Sequence, residues 1–280
     1  MKIAQMFNVN NNMELGIVRR DYVIPVDKPR HIIEFILSKP ELKFTRKTIP
    51  LENVNFTCAV PTTTKIIGIG LNYKDHSKES DFDIPKEPLV FSKFPSSLNK
   101  HEGKIKWDTA ITNQVDYEAE LAVIIGKTVL NCSVDQAKDA IFGYSCANDV
   151  SARDLQFNES QWTRGKSLNT FCPIGPWIVT ADEIEDPNNL EIKCYLNDEL
   201  VQHSNTNQMI FDIPYLISYL SKHFYLFPGD IILTGTPSGV GAFRDPPVFL
   251  KENDKVCVEI EKIGRLTNYC LPFSLRSVNF

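Results

Sequence analysis

The chain has no apolar stretch approaching the ~18 uncharged residues needed to span a bilayer, which sets aside an α-helical membrane protein. It also lacks an excess of positive charge, since 30 Lys and Arg against 35 Asp and Glu leave a formal net charge of −5. A general nucleic-acid binder carries a basic footprint, so none is expected here. The seven cysteines (58, 132, 146, 172, 194, 257 and 270) are odd in number and never form a CxxC pair. That pattern fits buried, reduced thiols, not a disulfide framework or a zinc site. The segment Met1 to Phe7 runs straight into Asn8-Val9-Asn10-Asn11-Asn12, with neither the apolar core of a secretory signal nor an Arg/Ser-rich transit peptide. An intracellular address follows, either cytoplasmic or in the mitochondrial matrix. With 42% apolar and 23% charged residues over 280 positions, the chain has enough apolar surface to form a real core.

What is present is mostly strand. Lys65 to Gly70, Leu89 to Phe91 and Leu121 to Ile125 are short runs rich in β-branched residues. Leu190 to Leu196 alternates, turns at Asn197-Asp198 and returns through Leu200-Val201 as a hairpin. Lys255 to Ile260 alternates likewise and turns near Gly264. Few helices are expected: one over His31 to Leu37 ended by Pro40, one opened by a capping box at Ser133 to Gln136, and one capped by Asp212. The fold class is therefore α+β and mostly β, a roll or sandwich and not a doubly wound sheet. Residues 1–60 read as a small N-terminal α/β domain and 61–280 as the larger domain holding the chemistry.

Two phosphate-binding look-alikes fail. Gly68-Ile69-Gly70 is followed by Tyr73 where a dinucleotide fingerprint needs its third glycine, and Gly165-Lys166-Ser167 has Ser160 where a P-loop needs its first. Four segments carry chemistry instead. In Asp116-Tyr117-Glu118-Ala119-Glu120 the acids fall two apart, hence on one strand face. Like charges so placed need a cation or a shared proton, and oxygen ligands without His or Cys suit Mg²⁺, Mn²⁺ or Ca²⁺. A solvated edge strand is the plainer reading of that segment alone. Asp149 offers a third carboxylate, with Arg153 and Gln156 as a carboxylate clamp and amide donor, unless Asp149 only caps a helix. His76 and Glu79, three apart, make an oriented general base or an ordinary surface pair. Lys166 supplies a cation beside an oxyanion or lies exposed, and Gly235-Thr236 opens a turn-rich loop that can cradle a carboxylate.

Taken together these segments resemble the fumarylacetoacetate hydrolase superfamily. The residues concerned are Gly70 to His76, Phe91 to Ser97, Asp116 to Glu120, Asn148 to Gln156, Trp162 to Pro173, Ser204 to Met209 and Ile232 to Pro237. The Phe-Ser-Lys-Phe and Ser-Asn-Thr-Asn-Gln-Met segments, with Arg244 to Lys251, are most similar to the fumarylacetoacetate hydrolase domain-containing protein 2 branch. The resemblance implies a mixed β-sandwich roll, usually dimeric, with Mg²⁺ (Mn²⁺ or Ca²⁺ in some members) held by Glu118, Glu120 and Asp149. It assigns His76 and Glu79 to a catalytic dyad on a lid, Lys166 to the active-site lysine, and Arg153, Gln156 and Thr236 to substrate contacts, and the Gly235-Thr236 loop is expected to close the substrate pocket. It further implies action on small α-keto or 1,3-dicarbonyl acids, foremost oxaloacetate keto–enol tautomerisation. The alternatives are C–C bond hydrolysis of acylpyruvate or fumarylacetoacetate type, oxaloacetate decarboxylation, or a non-catalytic member that binds a dicarboxylate. Two departures bear on that choice. Leu71 stands where many hydrolytic members carry Arg, and Asn169 stands where many relatives have Asp.

Overall fold

The computed structural model describes residues 1–79 and 83–274. The principal elements are β1 (Lys2–Phe7), β2 (Met13–Arg19), β3 (Tyr22–Lys28), α1 (Ile32–Ser38), β4 (Ile66–Gly70), α2 (Lys74–Glu79) and β5 (Leu89–Lys93). Next come β6 (Lys104–Asp108), β7 (Ala119–Ile125), α3 (Val134–Lys138), β8 (Ile141–Asn148), α4 (Arg153–Phe157), α5 (Thr163–Lys166) and β9 (Cys172–Thr180). The chain continues through β10 (Glu191–Leu196), β11 (Glu199–Asn205), α6 (Ile213–Ser221), β12 (Ile231–Leu233), β13 (Lys255–Ile260) and β14 (Gly264–Phe273).

Two sheets dominate. The larger runs in the order β3-β2-β1-β9-β8-β7-β12-β4-β5, and the smaller runs β6-β14-β13-β10-β11. Most neighbours are antiparallel, but β12 pairs parallel to β4 and β6 parallel to β14. This is the mostly β architecture that the alternating segments imply. The hairpin expected at Asn197-Asp198 forms with both residues at positive φ (51° and 69°), and strands β10 and β11 pair across it. Ser133 and Gln136 make the reciprocal capping box, and the Asp212 side chain accepts from the Tyr215 N–H with Pro214 in the first turn.

The apolar run of β7 is explained by burial on both faces. Leu121, Val123 and Ile125 join one hydrophobic cluster, with Ile192, Val256 and Val258 of the smaller sheet. Ala122 and Ile124 join another, which reaches Ile32, Phe35 and Ile36 of α1. Residues 1–60 add their strands to the same large sheet, because β1 pairs with β9 through Lys2–Val179 and Ile3–Ile178. The rigid, doubly covered β7 is the element on which the charged residues are mounted.

Candidate active site

Glu118 and Glu120 stand at the start of β7, and Asp149 follows directly after the paired strand β8. The register Ala119–Asn148 therefore brings Asp149 beside the two glutamates despite the intervening residues. All three are buried, and one carboxylate oxygen from each lies within 4.8 Å of the others. Asp149 caps no helix: Ala152 occupies the N-cap of α4. Asp116 does not share the cluster's role. The strand is interrupted between Asp116 and Ala119, and the Asp116 oxygens are taken by Arg153 Nε (2.8 Å) and the N–H groups of Gly241 (2.8 Å) and Ala242 (3.0 Å).

Cations surround two of the three acids. Lys166 Nζ donates to Glu118 Oε2 and Asp149 Oδ2, each at 2.7 Å, and Arg153 Nη1 reaches Glu118 Oε1 at 2.7 Å. Burial opposes ionisation of Glu118, but Lys166 and then Arg153 outweigh it and hold the carboxyl down at about 2. Burial likewise opposes the charge on Lys166, yet Asp149 and Glu118 overcome it and raise its pKa, so the ammonium form is stabilised. Glu120 differs. Among the described residues no cation lies within salt-bridge distance of it, and its one short contact is the Gly235 N–H donating to Oε2 at 2.7 Å. Burial, followed by the charges of Asp149 and Glu118, pushes its carboxyl well above the usual range. A third carboxyl with no ion-pair partner of its own among the described residues, in an all-oxygen donor set, fits a hard divalent cation.

A cavity of about 270 Å³ opens on this cluster. His76, Glu118, Glu120, Arg153, Gln156, Lys166 and Thr236 line it, with Leu71, Phe91, Phe157, Trp162 and Phe243 as apolar walls. Gly70 permits one of those walls: a Cβ there would meet the Trp162 ring at 2.5 Å. Arg153 Nη1 also donates to Gln156 Oε1 (2.9 Å), whereas Nη2 is buried without a hydrogen-bond partner among the described residues. An orphaned guanidinium donor at a cavity wall is costly unless a ligand satisfies it. His76 sits on α2 with Nδ1 3.3 Å from Glu79 Oε2, the contact that the three-residue spacing implies. Glu79 Oε1 accepts from the Gly239 N–H at 2.8 Å, and Asp75 bonds Ser204 at 2.5 Å, which fastens α2 over the cavity.

The loop from Gly235 to Ala242 cradles carboxylates, but they are the protein's own. Gly235 serves Glu120, Gly239 serves Glu79, and Gly241 with Ala242 serves Asp116. One buried group had no role in the sequence reading. Lys93, from the Phe-Ser-Lys-Phe segment at the end of β5, is 1% exposed and donates to Asp149 Oδ1 (2.5 Å) and the Val150 carbonyl (3.2 Å). The signal for it was a lysine ending an apolar strand, which alone does not separate a buried cation from a solvated one.

The model of the fumarylacetoacetate (FAA) hydrolase C-terminal family matches residues 65–270. A mitochondrial oxaloacetate tautomerase of Xenopus laevis is 46% identical over 233 residues, covering 82% of this chain and 73% of its own. A fumarylacetoacetate hydrolase domain-containing protein 2 homolog of Dictyostelium discoideum is 49% identical, with coverages of 79% and 76%. Among solved structures, the fumarylacetoacetate hydrolase of Exiguobacterium antarcticum superposes with a TM-score of 0.89 at 34% identity, covering 98% of this chain and all of that one.

Proposed function

Because the chain belongs to the fumarylacetoacetate hydrolase family, we propose that it is a divalent-metal-dependent oxaloacetate keto–enol tautomerase. The observation that carries the reading is the convergence of three buried carboxylates within 4.8 Å of one another, two of which, Glu118 and Glu120, line a cavity together with Arg153, Lys166 and His76. The named tautomerase activity of relatives such as the Xenopus laevis protein supports it at the level of the substrate. Glu118, Glu120 and Asp149 would hold the ion, Mg²⁺ being our choice, with Mn²⁺ and Ca²⁺ compatible with the same oxygens. Such an ion supplies Lewis acidity that draws electron density from a bound keto oxygen.

The chain's own groups do the rest. Arg153 Nη2, the Gln156 amide and the Thr236 hydroxyl receive the substrate's distal carboxylate in a cavity of about 270 Å³, which suits a short diacid. Lys166 is held as an ammonium by Asp149 and Glu118, so it enters the reaction as positive charge and proton donor at the substrate oxygen. His76, with Nδ1 turned to Glu79, exchanges the proton of the adjacent carbon at Nε2. One proton leaves carbon and one arrives on oxygen, so the atoms balance.

The test follows enol absorbance of oxaloacetate with and without Mg²⁺, alongside assays for pyruvate and CO₂ release. Rate enhancement that chelation removes and Glu120→Gln abolishes is expected. Pyruvate or CO₂ as the dominant product would replace the tautomerase with the hydrolase or decarboxylase, and ligand binding with no turnover would leave a dicarboxylate-binding protein. A homodimer and a mitochondrial address belong to the same proposal. The edge strand β5 exposes Leu89 and Val90, an apolar edge with no further strand beside it among the described residues, which suits a second copy, and the relatives' names carry the compartment. Light scattering at twice the chain mass and co-fractionation with matrix markers are the expected results.

A further inference from the structure

We propose that Gln202, on β11 of the smaller sheet, is a positioning residue that fixes the Thr236 hydroxyl as a hydrogen-bond donor into the substrate cavity. Gln202 is 1% exposed, belongs to none of the cavity-lining residues, and spans two parts of the site. Its Oε1 accepts from the Ala119 N–H at 2.9 Å, between the two glutamates of β7. Its Nε2 donates to Thr236 Oγ1 and to the Pro237 carbonyl, both at 2.9 Å.

The orientation of that amide follows from its backbone partners. The Ala119 N–H can only donate and the Pro237 carbonyl can only accept, so a flipped amide would face donor with donor and acceptor with acceptor. One Nε2 hydrogen therefore goes to Pro237 and the other to Thr236 Oγ1. A hydroxyl that accepts in this way keeps its own hydrogen to give. Among the described residues no acceptor takes it, and Thr236, 5% exposed, borders the cavity. The direction left for the O–H is toward a ligand. Without Gln202 the hydroxyl would be free to rotate and donate to a protein carbonyl, presenting a lone pair to an anionic substrate. This inference rests on the reading of the cavity as the binding site of a keto diacid and names how one of its donors is set.

Gln202→Glu tests it, because a carboxylate still accepts from Ala119 but cannot donate to Thr236, so the hydroxyl must turn toward it. Dissociation constants for malonate, a non-reacting diacid, and for Mg²⁺ are measured by calorimetry, with KM and kcat for oxaloacetate. Loss of one hydrogen bond to a charged group predicts malonate affinity and 1/KM lower by about tenfold or more, with Mg²⁺ affinity unchanged. Thr236→Val should show the same loss and Thr236→Ser little of it. Within Thr236→Val, adding Gln202→Glu should cost nothing further. Gln202→Met, which adds no charge, should give a smaller loss of the same kind and serves if the glutamate variant fails to fold. The inference is overturned if Gln202→Glu costs as much with Thr236→Val as without it, or if Mg²⁺ affinity falls in step with malonate affinity. Malonate binding by a wild-type protein without tautomerase activity would instead remove the proposed reaction and leave this assignment in place.

Discussion

Three carboxylates in one small volume set the character of the site at the scale of single residues, and they are not equivalent. Glu118 and Asp149 each have cationic partners, whereas Glu120 has only a peptide N–H. Replacing Glu120 should thus remove the cost of burying a carboxyl without an ion-pair partner while destroying a ligand. Glu120→Gln is expected to raise the melting temperature of the metal-free protein and to abolish the further rise caused by Mg²⁺, both visible in thermal melts. Lys93 behaves in the opposite way. It is buried against Asp149, and cutting one half of a buried ion pair typically costs about 3–5 kcal/mol. Lys93→Met should lower stability by roughly that amount in denaturant titrations and weaken Mg²⁺ binding as Asp149 loses its anchor. The sequence made the acids and Arg153 visible because their types and spacing are chemically unusual. Lys93 was hidden, since a single lysine after an apolar run reads the same whether buried or exposed.

At the scale of elements, strand pairing and a glycine-rich loop assemble the site. The i, i+2 spacing placed Glu118 and Glu120 on one face, but only the β7–β8 register placed Asp149 beside them. The loop from Gly235 to Ala242 then secures Glu120, Glu79 and Asp116 through backbone N–H groups. Gly239 has a φ of 101°, and a Cβ there would meet the Val201 carbonyl oxygen at 2.2 Å. Gly239→Ala should cost about 1–3 kcal/mol and lower kcat by loosening Glu79, checked by chemical denaturation and steady-state kinetics. His101 pins the turn before β6, its Nδ1 accepting from the Thr267 N–H of β14 at 3.0 Å. Burial lowers its pKa, partly opposed by the charge of Glu102. The unfolded chain then binds more protons, so this contribution is present above the unfolded value and is lost as pH falls below about 6.5. His101→Asn, which keeps an acceptor for Thr267, should flatten the stability difference between pH 7.5 and pH 5.5.

Across the whole molecule, the packing of the two sheets on each other and of α1 on the larger sheet leaves every cysteine buried. All seven thiols are free and buried. Burial pushes Cys58 up to about 12, partly opposed by the backbone at Val60 and Ala59, and also raises Cys146, Cys172 and Cys194. The folded protein should resist alkylation at pH 8 and label at seven sites only when unfolded, as mass spectrometry would show. A thiol with a raised folded pKa contributes stability below its unfolded value. That contribution should disappear as pH rises from about 8.5 toward 12, read as alkaline loss of structure.

The amino-acid sequence by itself determined the strands, the hairpin turn at Asn197-Asp198, the helix caps and the list of groups able to bind a cation and a diacid. These follow from local rules of periodicity, backbone preference and side-chain chemistry, which act over a few residues. Tertiary structure alone decided which of those groups meet. Asp116 goes to Arg153 and the Gly241 loop, the loop's N–H groups go to the protein's own acids, and Lys93 and Gln202 enter the site from distant strands. The reason is physical: in a buried site every charge and polar atom must be satisfied at once, and the partners that do so lie up to 160 positions away along the chain.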